Sequence, residues 1–165
     1  MFLNPGLPGR SACLAALLLV SGCTYDIFND VDDYDRGRLD LDEVLGTYAG
    51  ERTLAAPGQS ARAAAVATVS RVEGAVVQVR IEADGRVDEY LGIYDGFGLS
   101  FNGEVAGGAG SFNWYVDGDG FITGDSFIGA TGDSRRYTGR LVRDAFDLLI
   151  RSPDGQVRDD LRTTR

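Results

Sequence analysis

From Val44 onward, apolar and polar residues alternate in short runs separated by turn residues. In Ala75–Ala83, Val77, Val79 and Ile81 share one side, while Gln78, Arg80 and Glu82 share the other, the period of a half-buried strand. Asp84-Gly85 separates this run from Arg86–Tyr94, where Val87, Leu91 and Ile93 are in phase. Asp-Gly between two alternating runs is a strong hairpin signal. Phe97–Val105 carries Leu99, Phe101 and Val105 on one face, and Ser111–Val116 carries Phe112, Trp114 and Val116. Asp117-Gly-Asp-Gly120 turns the chain into Phe121–Ile128, followed by Arg136–Arg143, Ala145–Arg151, a Ser152-Pro-Asp-Gly155 turn and Gln156–Arg162. With Val44–Leu54 and Arg62–Glu73, the pattern predicts an all-β domain, an antiparallel barrel of roughly 8–10 strands, with a β-sandwich as the alternative.

One run fits two periods. Ser60–Val72 is alanine-rich, Ser60 suits a helix N-cap, and Val66, Val69 and Val72 form a helical stripe. Its β-branched residues and its place just before Ala75 favour a strand. Glycine also falls inside strands: Gly46-Thr-Tyr48-Ala-Gly50, Gly92-Ile-Tyr94-Asp-Gly96 and Tyr137-Thr-Gly139. Interior glycine marks a bend or a bulge, as where a closed sheet turns a corner.

The front of the chain has another pattern. Arg10 precedes a small and apolar run, Ser11–Val20, about the length of a secretory h-region and too short to span a membrane as a helix. The run ends Leu19-Val20-Ser21-Gly22-Cys23, which resembles the bacterial lipobox. That resemblance implies a signal peptide over 1–22, cleavage before Cys23, and lipidation of Cys23 with acyl chains that palmitate would label. Several acyl chains on one residue give stable anchoring, at about 0.8 kcal/mol per buried CH₂. By the same resemblance, Thr24 after the cysteine favours the outer membrane, the protein facing either the periplasm or the cell surface.

Residues 23–43 are dense in Asp and read as a solvated acidic tether, leaving 44–165 as the barrel domain. A calcium loop is the alternative use of Asp30, Asp32, Asp33, Asp35, Asp40 and Asp42. With Gly37 as the obligatory glycine, however, Tyr34 and Arg36 stand where carboxylates belong. Asp117-Gly-Asp-Gly120 fails similarly, with Tyr115 first and Ser126 last, and reads as a turn.

Composition narrows the chemistry. The chain has no histidine, which removes Ser-His-Asp and Cys-His catalysis and imidazole-based zinc sites. Its net charge of −9 opposes nucleic-acid binding. Both cysteines, Cys13 and Cys23, lie in the leader or at the anchor, so the domain has neither disulfide nor thiol. No metal or cofactor is expected.

Leu45-Gly46-Thr47-Tyr48, soon after a lipobox, resembles the first strand of lipocalin-like or calycin-like lipoprotein barrels. Tyr137-Thr-Gly-Arg-Leu and Phe146-Asp-Leu-Leu-Ile are similar to their closing hairpin. The resemblance implies an up-and-down barrel with an apolar pocket, for which Tyr48, Phe101, Phe112 and Trp114 are the candidate lining residues. The expected function is a non-enzymatic binding role for a monomeric, lipid-anchored envelope protein. Its partner would be a small apolar ligand or an envelope protein, and the membrane itself would be met through the anchor. A scaffold barrel with a filled core is one alternative. A carboxylate-based glycan hydrolase using acids among Asp95, Glu104, Asp117, Asp119 and Asp125 is another.

Overall fold

A computed structural model describes residues 37–105, 110–129 and 131–165. The proposed signal peptide, Cys23 and the acidic stretch up to residue 36 lie outside the described residues. A short helix α1 (Leu41–Val44) precedes ten strands. These are β1 (Gly46–Ala56), β2 (Gln59–Glu73), β3 (Val76–Ala83), β4 (Arg86–Tyr94) and β5 (Leu99–Glu104). They continue as β6 (Gly110–Val116), β7 (Phe121–Ile128), β8 (Asp133–Val142), β9 (Ala145–Arg151) and β10 (Arg158–Thr164). Each strand pairs antiparallel with its neighbours in sequence, and β1 closes on β10, giving an up-and-down barrel. The all-β barrel expected from the alternating pattern is the fold.

The ambiguous run is strand β2. Its inner face is Ala65, Ala67 and Val69, all buried, whereas Val66 and Val72 are exposed. The helical stripe is thus split between the two faces.

Strand β4 reverses its expected phase. Its register pairs Tyr90 with inward Val79 and Asp88 with inward Ile81. Asp88, Tyr90, Gly92 and Tyr94 therefore face the interior, and Val87, Leu91 and Ile93 are left exposed on the wall. Two tyrosine rings and an ion-paired aspartate outweigh three aliphatic side chains.

A ten-stranded barrel is wider than an eight-stranded one and needs larger side chains to fill it. Trp114, Tyr48, Phe101 and Phe146 are all fully buried inside. Trp114 stacks on Phe101 with centroids 3.9 Å apart and lies edge-on to Tyr90 at 5.4 Å. The strand glycines make room for these rings. Gly92 faces Phe101 across β4 and β5, where an added Cβ would fall 2.6 Å from the ring. Gly124 faces Trp114 across β6 and β7, where an added Cβ would fall 2.4 Å from the Trp114 Cα and Cβ. The outer wall carries charged pairs such as Arg80 with Glu82 and Glu89, so the apolar side is inside, the inverse of a transmembrane barrel. Among the described residues, no helix is long and apolar enough to cross a membrane.

The two ends of the barrel differ. Where β1, β3, β5, β7 and β9 begin, α1 and the residues before it close the end. Leu39, Leu41 and Val44 are buried there, so residues 37–43, acidic enough to read as tether, belong to the barrel. Asp40 caps α1 by accepting from the Asp42 and Glu43 amides. Tyr48 donates from its hydroxyl to the Val44 carbonyl at 2.7 Å, and Tyr94 donates to the Leu39 carbonyl at 2.8 Å. The opposite end has no such plug among the described residues.

Candidate functional site

At the unplugged end the inward positions turn from apolar to charged. The phase that buries Tyr48 on β1 also points Arg52 inward, and it is 6% exposed. Burying a guanidinium is costly unless its donors are met. Two carboxylates meet them, one from each side. Nε and Nη2 bond the two oxygens of Asp159 on β10 at 2.8 and 2.5 Å, a bidentate fork. Nη1 meets Oδ2 of Asp88 on β4 at 2.5 Å, an ion contact and not a well-aligned hydrogen bond. Bonding to Asp159, opposed by burial, holds the Arg52 guanidinium protonated well above its ordinary range.

Aromatic hydroxyls share this tier. Burial pushes Tyr90 far above the usual tyrosine range, with Tyr137 and Asp88 adding in the same direction. Burial also raises Tyr137, while the Ser126 hydroxyl beside it pulls the other way. Neither hydroxyl is poised to act as an acid or base near neutral pH. Among the described residues the buried indole N–H of Trp114 has no acceptor, a cost set against the ring packing around it.

Above this tier lies an open cup of about 540 Å³. Leu54, Ala55, Ala56, Ala61 and Val157 form its apolar wall, and Arg86, Arg135 and Arg158 its charged side. Asp159 also lines it but is committed to Arg52. Arg86 and Arg135 are exposed and have no ion pair among the described residues. Beside the cup, sharing Arg135, is a second hollow of about 410 Å³ lined by Arg136, Arg151, Ser134 and the Ser152–Gly155 turn.

The four candidate lining aromatics occupy other ground. Tyr48, Phe101 and Trp114 are fully buried in the packed interior, Tyr48 at the plugged end. Phe112 is partly buried, edge-on to Tyr90 at 5.3 Å. Their rings pack in the barrel against other rings, Phe101 on Trp114, Tyr48 on Phe146 and Phe112 on Tyr90. The candidate acids are dispersed. Asp95 accepts from the Phe97 and Gly98 amides in the β4–β5 turn, and those N–H donors lower its pKa. Asp117 accepts from the Asp119 and Phe121 amides in the β6–β7 turn. Asp125 is an exposed partner of Arg136 at 3.7 Å, and Glu104 ends β5 at the other end of the barrel from these turns.

Sequence reasoning missed Arg52, Asp88 and Asp159. The available signal was phase: Arg52 stands four places from Tyr48, a candidate lining residue, and so on the same face of its strand. In comparisons with known protein families, curated proteins and solved structures, the chain matches none.

Proposed function

We propose that this chain is a lipid-anchored envelope protein with a non-enzymatic binding role, exercised at the open end of its barrel. The observation that carries this reading is the contrast between a filled interior and an open, part-apolar cup of about 540 Å³ above it. A volume in this range suits a small ligand. The lipobox-like Leu19–Cys23 supports the anchor, and the chain joins the barrel at its plugged end, where Leu39 donates its amide to the Phe97 carbonyl.

The filled core also favours a second reading, a scaffold that works through its wall alone. That wall has exposed apolar residues, Val87, Leu91 and Ile93 among them.

Two measurements on the full chain test the proposal. Metabolic labelling with a palmitate analogue is expected to mark the wild type and to vanish in Cys23→Ala; unchanged labelling overturns the anchor. The neutral dye N-phenyl-1-naphthylamine is expected to bind the purified protein saturably and to be lost in Ala61→Trp, which fills the cup. Thermal melting checks that the variant is folded. Dye binding unaffected by Ala61→Trp, or absent in the wild type, overturns the cup and leaves the scaffold.

A further inference from the structure

The register brings three arginines side by side on the outer face at the open end. Arg151 on β9 stands directly opposite Arg136 on β8 and directly opposite Arg158 on β10. Adjacent strands lie about 5 Å apart, so the three form a row of like charges across three strands. Like charges placed opposite each other in a sheet are destabilising. Such a row is unexpected in a chain of net charge −9, where carboxylates are plentiful. Nearby acids compensate only the flanks: Asp160 meets Arg158 at 2.5 Å and Asp125 meets Arg136 at 3.7 Å. Arg151, at the centre, has no ion pair among the described residues.

The row and the cup are continuous. Arg158 lines the cup, Arg136 and Arg151 line the adjoining hollow, and Arg135 borders both. Apolar wall and cationic row therefore lie next to each other, a pairing that suits one molecule with an apolar part and a multiply charged anionic head. Guanidinium forks match phosphate oxygens in geometry as well as charge.

Resting on the cup as the binding site, we infer that the ligand is an amphiphile with a multiply charged phosphomonoester head, its apolar part against Leu54, Ala61 and Val157 and its phosphate on the Arg136–Arg151–Arg158 row. The row's mutual repulsion is relieved when the anion binds, so the energetic misfit of the free protein becomes selectivity for a charged head.

The test is calorimetric titration of the purified full chain with three monomeric probes: dihexanoyl phosphatidic acid, dihexanoyl phosphatidylcholine and inorganic phosphate. Phosphatidic acid is expected to bind at least about ten-fold tighter than the other two, a difference worth about 1.4 kcal/mol. Arg151→Gln should erase most of that preference, weakening phosphatidic acid far more than phosphatidylcholine, whose phosphodiester carries a single negative charge, and Arg151→Lys should restore part of it. Without ligand, Arg151→Gln should melt at or above the wild-type temperature, since it removes repulsion. Equal affinity for the two lipids, or a preference that survives Arg151→Gln, overturns the inference and leaves the cup. Inorganic phosphate binding as tightly as phosphatidic acid overturns the amphiphile in favour of a free anion. Failure of all three probes to bind overturns the cup along with the inference.

Discussion

The two ends of this barrel solve opposite problems with the same inward-facing positions. At the plugged end, inward residues are apolar or are tyrosines whose hydroxyls reach backbone carbonyls, so α1 is sealed down with its polar groups met. Arg165 adds a cap over the Tyr48 ring at 5.0 Å. At the open end charged residues stand among apolar ones on the inner face, and Arg52 requires ion pairing in place of apolar contact. Arg52 between Asp88 and Asp159 is the floor that separates the packed interior from the open cup. One end is built to be closed, and the other is built to stay open without letting water into the core.

This contrast is broken most severely at the floor. Arg52→Ala leaves two carboxylates facing inward without their cation, and is expected to cost about 3 kcal/mol, reduced from the fully buried case because both acids keep some solvent contact. Urea denaturation measures it. Adding Asp88→Asn and Asp159→Asn to that variant should recover much of the loss, which a simple cavity would not allow. Next comes the plug. Leu41→Ala removes buried apolar volume and is expected to cost about 2 kcal/mol while leaving dye binding in the cup unchanged. A plug variant that alters the cup would show that the ends are not independent. Smaller still, Tyr48→Phe removes a hydroxyl shared by the Val44 and Val142 carbonyls, expected to cost about 1 kcal/mol.

The smallest effect is a pH dependence at the plugged end. The Phe97 and Gly98 amides lower the Asp95 pKa in the folded state. Its contribution is then fully present above the unfolded carboxyl pKa of about 3.9 and is lost as pH falls through the lower folded value. Asp95→Asn should melt slightly below the wild type near neutral pH, where the contribution is present, and converge on it below about pH 4.

Much of the barrel was legible because turn signals and alternation agree over most strands, as in Val77–Ile81 and Phe112–Val116. Strand β4 was misleading for a physical reason. Alternation ranks Val87, Leu91 and Ile93 above Asp88 and Tyr90, yet the hairpin register with β3 decides the phase, and the aspartate is tolerated inside only because Arg52 is there. That partnership spans three strands and no local window contains it. The Arg136–Arg151–Arg158 row is likewise invisible in sequence, since it exists only once two hairpins are in register. Gly92, which faces Phe101, was visible as an anomaly within a strand. Its meaning, room for a ring in a wide barrel, needed the pairing.

The most direct test of the division between the ends is amide chemical-shift mapping on the full chain titrated with dihexanoyl phosphatidic acid. The account predicts perturbations at Ala61, Arg135, Arg151 and Val157, with Leu39, Tyr94 and Phe97 unmoved. Perturbations centred on the plugged end, or on interior residues such as Phe101 and Trp114, would contradict it.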